Sequence, residues 1–168
     1  MLGLLATHGG ELSGYDLHRC AQSGVAYVWA PARSRIYATL PRLVAAGLAQ
    51  SRDVVQRGRP DKQLYRITAL GRRALLAWLE SPSWRSEDEF LLRLFFGDLL
   101  PSETLDAHLE AYAGEYRGRL ATYRGIEEQI RDEPRDRYGL LALRLGLALG
   151  TARVRWAAEA RRALEAAP

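Results

Sequence analysis

The sequence predicts a mainly α-helical chain that contains one small β-hairpin. Apolar residues recur every three or four positions over most of the 168 residues, as they do along the buried face of a helix. Two short runs, residues 49–56 and 63–68, instead alternate polar and apolar residues, and the Gly- and Pro-containing stretch RGRPDK separates them. A Ser-Pro-Ser interruption at residues 81–83 then divides the chain. We therefore expect two domains, over residues 1–81 and 84–168.

The first domain is organised around a helix that we predict over residues 34–46. Its inward face is formed by Ile36, Leu40, Leu43 and Val44. Pro41 falls inside this helix, where a proline removes one backbone hydrogen bond and costs about 3 kcal/mol. If Ser34 is the N-cap, Pro41 lies about two turns into the helix, and we expect a bend or a 3₁₀-like first part there.

The order helix, strand, basic turn, strand, helix is typical of a winged helix-turn-helix, whose helix enters a DNA groove while the hairpin contacts the phosphate backbone. Charge supports this interpretation: residues 1–79 carry eleven basic and four acidic side chains, against thirteen and sixteen in residues 80–168. The alternative for the hairpin tip is ordinary solvated surface charge. The candidate DNA-contacting residues are Ser34, Arg35, Tyr37, Thr39 and Arg42 in the helix, and Arg57, Arg59 and Lys62 in the hairpin.

Three stretches of the first half resemble the PadR family of bacterial transcriptional regulators. They read GYDLHRC, RIYATLPRLVAAGLAQ and GRPDKQLYRITALGRRALLAWL, and the resemblance is specific in I-Y-x-x-L-x-R-L-x-x-x-G-L and G-R-P-x-K-x-x-Y-x-I-T-x-x-G. The second half is similar by layout more than by motif. The resemblance implies a repressor that binds an inverted-repeat operator as a homodimer, with a winged helix-turn-helix followed by an all-α dimerisation domain. The family's first helix usually starts earlier, so either the natural start lies upstream of Met1 or the subunit contact is reduced.

The second half predicts two long helices. Leucines, tyrosines and isoleucines recur every three or four residues over residues 105–130, and leucines do so again over residues 141–149. Two such helices cannot bury both apolar stripes on each other alone, and a twofold dimer is the usual solution. We therefore expect a homodimer through the C-terminal helices.

Aromatic residues suggest where a small-molecule effector could bind, since the resemblance extends to regulators that respond to aromatic acids and drug-like cations. Trp29 either fills a gap beneath the predicted recognition helix or lines an effector pocket. Trp156, with the tyrosines of the C-terminal half, either frames such a pocket or simply packs between helices.

Other classes of function find little support in the sequence. It contains no Gly-rich phosphate-binding loop, no nucleophile at a readable distance from a base and no cluster of metal ligands, so we expect no enzyme, no cofactor and no metal site. The single cysteine excludes an intrachain disulfide. No apolar run approaches the roughly 18 residues of a membrane span, which predicts a cytoplasmic protein. The alternative function is a winged-helix adaptor that binds protein rather than DNA.

Overall fold

The fold is seen in a computed structural model. It describes residues 1–26, 29–55, 61–131 and 137–166. Within these ranges the chain forms seven α-helices and one three-stranded antiparallel sheet, which confirms the predicted class of a mainly α protein with a small β-hairpin wing. Contacts divide the chain into two compact units, Met1–Pro101 and Ser102–Pro168.

The first unit contains five helices and the sheet. Its elements in chain order are α1 (Leu2–Thr7), β1 (Leu12–Ser13), α2 (Gly14–Cys20), α3 (Arg33–Ala45), β2 (Ala49–Val54), β3 (Lys62–Ile67), α4 (Ala69–Glu80) and α5 (Glu87–Phe95). The strand order is β1-β3-β2, with Leu12 opposite Tyr65 and Ala49 opposite Ile67. The sheet therefore joins the β2–β3 hairpin to the start of α2.

Side-chain caps fix where α2 and α4 begin. The Ser13 hydroxyl accepts a hydrogen bond from the Asp16 backbone N–H (3.2 Å), and the Asp16 carboxylate accepts one from the Ser13 backbone N–H (3.1 Å). This is a capping box, in which the side chains of Ser13 and Asp16 satisfy each other's backbone N–H groups. The Thr68 hydroxyl likewise accepts a hydrogen bond from the Gly71 backbone N–H (3.0 Å) at the start of α4.

The core of the first unit fixes the orientation of α3. Ile36 and Leu40 are completely buried together with Leu5, Leu17 and Leu79. Full burial of one such side chain contributes about 1.5–3 kcal/mol relative to leaving it exposed. Because these contacts hold one side of α3 inward, its opposite side faces solvent.

Two expectations about the start of α3 are wrong. The helix begins at Arg33, with Ala32 as an N-cap that makes no side-chain hydrogen bond, so Ser34 lies inside the first turn and is not the cap. The segment Arg33–Ala45 is α-helical throughout, including Pro41, so it has no 3₁₀-like first part. The proline lacks only the hydrogen bond from its own nitrogen, and the helical turns on either side of it continue.

The first unit extends beyond the expected domain boundary at residues 81–84, because α5 packs against earlier elements. The Trp78 indole N–H donates a hydrogen bond to the Glu89 carboxylate (3.0 Å). The Phe96 ring lies against Gly3, where an added Cβ would come within 2.6 Å of the ring. The division of the chain into two domains at residues 81–84 stays a prediction.

The second unit is an antiparallel helix pair, α6 (Ser102–Ile130) and α7 (Arg137–Glu165). Arg161 near the end of α7 binds Asp106 near the start of α6, with 2.6 Å between Nε and Oδ1. An added Cβ at Gly150 would lie 3.0 Å from the Leu120 side chain, so α6 and α7 approach closely at this glycine. None of the helices in the described ranges is both long and apolar enough to cross a membrane.

Candidate nucleic-acid interface

The exposed side of α3 carries two arginines without partners. Arg35 and Arg42 lie two helical turns apart, and both side chains are exposed. Neither guanidinium makes a hydrogen bond or ion pair within the described part of the chain. Both charges are therefore available to a phosphate or to the edge of a base.

Tyr37 connects α3 to the start of α2. Its ring packs on Gly14, where an added Cβ would lie 2.9 Å from the nearest ring atom, and yet its side chain is 44% exposed. The guanidinium carbon of Arg33 lies 5.5 Å from the centre of the same ring, in cation–π geometry. Sequence reasoning did not include Arg33 among the candidates, although the pair of arginines around Ser34 was a signal that could have found it.

The other helix candidates are placed differently from one another. Ser34 is exposed in the first turn of α3, next to Arg35. Thr39 is only half-exposed, and its hydroxyl donates a hydrogen bond to the Arg35 carbonyl (2.7 Å). Thr39 also lines a cavity on the inner side of the helix. Ser34, Arg35, Tyr37 and Arg42 thus share the exposed surface of α3, and Thr39 lies at its edge.

In the hairpin, Arg52 is paired with a carboxylate, whereas Lys62 is not. Arg52 donates from Nε to Oε1 of Glu11 (2.9 Å) and from Nη2 to Oε2, and this bidentate hydrogen bond lowers the pKa of Glu11. Lys62, the first residue of β3, is exposed. Hydrogen bonds from Ser13 are the main reason for the lowered pKa of Asp16, and the positive charge of Lys62 lowers it further. Arg57 and Arg59 lie outside the described residues.

The two tryptophans proposed for an effector belong to different units. Trp29 is half-buried and packs against the hydrophobic core of the first unit. Trp156 is half-buried in the second unit, where its ring meets that of Tyr112 edge-on, with 5.7 Å between the ring centres. Tyr112 also contacts Tyr116 at 4.9 Å between ring centres. An effector role for Trp29 and Trp156 stays a prediction.

The first unit therefore combines a capped helix α2, an exposed cationic helix α3 and a β-hairpin completed by β1. This arrangement defines a winged helix-turn-helix protein. Residues 1–77 match the family model described as "Transcriptional regulator PadR-like family", and residues 87–165 match "Virulence activator alpha C-term". Residues 1–77, which contain the winged helix-turn-helix, thus belong to the PadR-like family of transcriptional regulators.

Two curated relatives are of similar length. A probable transcriptional regulator of Mycobacterium tuberculosis is 29% identical over 173 residues, which cover 91% of this chain and 90% of the relative. The negative transcriptional regulator PadR of Bacillus subtilis is 28% identical over 133 residues, covering 77% and 72%. The crystal structure of Bacillus subtilis PadR in complex with operator DNA aligns over 97% of both chains, with 24% identity and a TM-score of 0.47.

Proposed function

We propose that this protein is a transcriptional repressor that binds operator DNA as a homodimer. The observation that carries the proposal is the pair of unpartnered, exposed guanidiniums of Arg35 and Arg42 on α3. The buried side chains of Ile36 and Leu40 hold the other side of the same helix in the core. A helix fixed in this way presents its cations outward as a rigid body, which is what a major-groove reader requires.

Within this proposal the candidate residues have distinct roles. Arg35 and Arg42, with Thr39 at their edge, meet base edges or nearby phosphates in the groove. Ser34 and Tyr37 contact the DNA backbone near the start of α3. Arg57, Arg59 and Lys62 contact the flanking phosphates or the minor groove. Arg52 has no part in this set, because its guanidinium already binds the Glu11 carboxylate.

The homodimer is supported by apolar side chains that α7 leaves exposed. Leu141, Leu145 and Leu149 recur every four residues, and their exposures are 59%, 61% and 45%. Tyr138, one turn before them, is 79% exposed. A second copy related by a twofold axis covers such a stripe and brings the winged helices of both copies to one duplex. The operator is then an inverted repeat whose half-sites lie about 34–36 Å apart, or a multiple of that distance.

The proposed direction of regulation is taken from the name of a relative. The Bacillus subtilis relative is named a negative transcriptional regulator, and we extend that sign of regulation to this chain, acting in the cytoplasm. Release from the operator by a small aromatic or drug-like effector belongs to the same proposal. Such an effector acts by favouring an arrangement of the dimer that does not fit the operator.

The test is fluorescence anisotropy of the purified protein on the DNA upstream of its own gene and on a scrambled duplex, each at two salt concentrations. We expect a preference of about 10³ or more for the upstream fragment, and an affinity that falls steeply as salt rises. Weak binding to both duplexes that is indifferent to salt would instead indicate a winged-helix adaptor that binds protein, and the DNA-binding proposal would be wrong.

A further inference from the structure

The ion pair between Glu11 and Arg52 crosses the small sheet of the first unit. Arg52 lies in β2, and Glu11 is the residue before β1. Because the strand order is β1-β3-β2, β3 runs between the two residues. Neighbouring strands lie about 4.7–4.9 Å apart, so the two side chains together span roughly two strand spacings. The pair therefore links the outer strand of the hairpin to the segment that leads into α2.

The geometry of this pair fixes a direction more than it adds stability. Arg52 donates from Nε to Oε1 of Glu11 (2.9 Å) and from Nη2 to Oε2, and two parallel hydrogen bonds hold both planar groups in one orientation. The side chains of Arg52 and Glu11 are 59% and 30% exposed. An ion pair that is open to solvent contributes little to the free energy of unfolding. We therefore look for its role in the placement of the hairpin.

The backbone alone attaches the hairpin to α2 over a short distance. β2 and β3 pair over six residues each, whereas β1 contributes only two residues to its pairing with β3. The Ser13 backbone N–H donates to the Asp16 carboxylate (3.1 Å) as part of the cap of α2. The buried Ala49 and Tyr65 hold the base of the hairpin in the core. Beyond that base, the ion pair ties β2 to the helical part of the unit.

Arg52 lies close to the hairpin cation that we expect at a DNA phosphate. It is opposite Leu64 in the sheet, two residues from Lys62, and Lys62 is exposed. We propose that Glu11 and Arg52 are positioning residues, which hold the outer part of the hairpin at the angle at which Lys62 meets a phosphate. The contact of Lys62 rests on the proposed DNA-binding function, whereas the restraint of the hairpin does not. A restrained hairpin loses less freedom when it binds, and affinity rises accordingly.

The decisive test replaces each member of the pair by alanine. Glu11→Ala removes a negative charge and Arg52→Ala a positive one, so an effect of net charge alone would strengthen DNA binding in the first and weaken it in the second. Positioning predicts that both weaken it. By fluorescence anisotropy we expect the Kd for the upstream duplex to rise about five-fold in each, and also about five-fold in the double variant, because either change removes the same contact.

The salt dependence shows whether the loss concerns a phosphate contact. We expect the slope of log affinity against log salt to fall by about one in Glu11→Ala and in Arg52→Ala. In a Lys62→Ala background, Glu11→Ala should weaken binding by less than about two-fold, because the contact that the pair positions is already absent. A general loss of folding would not depend on Lys62, and urea midpoints of all variants check that the fold is retained.

Asp53→Ala is the matched control, because it removes an exposed carboxylate from β2 that is not part of the pair. Its net charge equals that of Glu11→Ala. We expect it to leave the Kd unchanged or to lower it, since one source of repulsion to DNA is gone.

Hydrogen exchange of the free protein tests the restraint without DNA. Backbone amides of residues 61–67 should exchange at least about three-fold faster in Glu11→Ala and in Arg52→Ala than in the wild type, and at the wild-type rate in Asp53→Ala. Unchanged exchange in the two pair variants would overturn the restraint.

The outcomes separate this proposal from the proposed function. Tighter DNA binding by Glu11→Ala, or additive effects of the two replacements, would overturn the positioning role while specific binding by the wild type upheld the regulator. Absence of specific DNA binding by the wild type would overturn the proposed function and the role toward Lys62. Faster exchange in both pair variants would still support the restraint of the hairpin in that case.

Discussion

At the scale of single residues, carboxylate pairing divides the arginines of the first unit into two groups. Arg52 and Arg93 are bound to Glu11 and Glu89, and their charge is already compensated. Arg35 has no such partner within the described residues. The charge of a paired arginine is partly compensated by its carboxylate, so it neutralises a phosphate less effectively than an unpaired one. Pairing, more than exposure alone, therefore decides which side chains are suited to DNA.

Replacement of Arg35 by alanine tests whether α3 reads bases. If its guanidinium contacts a guanine edge, Arg35→Ala should reduce discrimination at one operator position by about 1–3 kcal/mol and leave the other positions unchanged. Arg57→Ala should instead weaken binding to all sequences alike and lower the salt slope by about one. Both are measured by anisotropy on operators with single base-pair changes.

The matched control is Arg73→Ala, which removes an exposed arginine from α4 without touching the proposed interface. It should leave specificity unchanged. Identical effects of Arg35→Ala and Arg57→Ala would contradict the division between residues that read the sequence and residues that grip the backbone.

At the scale of elements, local signals predicted α3, α4 and the two hairpin strands well. The periodic apolar residues of α3 lie within a few positions of one another, and the structure confirms that they face the core. β1 was missed because it is only two residues long and exists through its pairing with β3. The cavity beneath α3 was missed for the same reason, since four separate helices create it. Contacts between distant segments leave no periodic signal in the sequence.

Glycines decide which faces of α4 and α7 pack, and on α4 the packed face differs from the one that the sequence pattern predicts. The pattern predicts Leu70 on the inward stripe of α4, but it is 47% exposed, because Gly71 turns toward the core and approaches the Leu48 carbonyl. On α7, Gly146 and Gly150 contact α6, and the leucines remain exposed, in line with the expectation that the two long helices leave apolar surface uncovered. Glycine has no apolar side chain to mark a helix face, so patterning cannot show where two backbones meet.

Gly71 gives the first prediction at this scale. A Cβ at this position would lie 1.9 Å from the Leu48 carbonyl oxygen, so α4 must move away from the backbone on which it packs. We expect Gly71→Ala to lower the free energy of unfolding by about 3 kcal/mol or more, measured by urea denaturation. Gly118→Ala on α6 is the control, because an added Cβ there meets nothing within 4 Å. It should stabilise α6 by about 0.5–1 kcal/mol, and equal losses in both variants would contradict the packing argument.

Glu89 gives a pH-dependent prediction for the junction of α4 and α5. A hydrogen bond from the Arg85 backbone N–H, then those from Arg93 and Trp78, lower its pKa below the ordinary value of 4.5. The folded protein therefore binds this proton less readily than the unfolded chain does. The resulting stability is complete above the unfolded pKa and is lost as pH falls through the lower folded pKa.

Urea midpoints of the wild type and Glu89→Gln at pH 6 and at about pH 3 measure this contribution. We expect Glu89→Gln to be less stable than the wild type at pH 6, with a smaller difference at the lower pH, where the wild-type carboxyl becomes protonated. Asp88→Asn removes the same charge from the same exposed helical turn and should change the midpoint little at either pH. A gap between wild type and Glu89→Gln that does not narrow on acidification would contradict the role of the ionised carboxylate.

At the scale of the whole molecule, the pairing of α6 and α7 leaves a second surface unused. The glycines of α7 and the ion pair between Arg161 and Asp106 hold the two helices together, and the leucine stripe remains 45–61% exposed. Contiguous apolar side chains on a long helix are unfavourable in water, about 25 cal/mol for each Å². A twofold copy of the chain would bury this stripe against itself, and our proposal of an inverted-repeat operator depends on that symmetry.

Leu145→Glu tests the dimer. Leu145 is 61% exposed at the centre of the stripe, so the change should not disturb the fold of one chain, but in a twofold dimer it places carboxylates near each other in an apolar contact. We expect sedimentation to show a monomer at concentrations where the wild type is a dimer. Affinity for the full inverted repeat should fall toward that for a single half-site, because the second DNA-binding unit is no longer linked to the first.

Ala158→Glu introduces the same charge at an exposed position of α7 outside the stripe and should leave both the dimer and the operator affinity unchanged. Comparison of the two variants separates the contact from the charge, since an added carboxylate weakens DNA binding in both through general repulsion. A dimeric Leu145→Glu protein would place the subunit contact elsewhere. In that case the spacing of the half-sites would be set by a different surface, and the leucine stripe would be free to bind another partner.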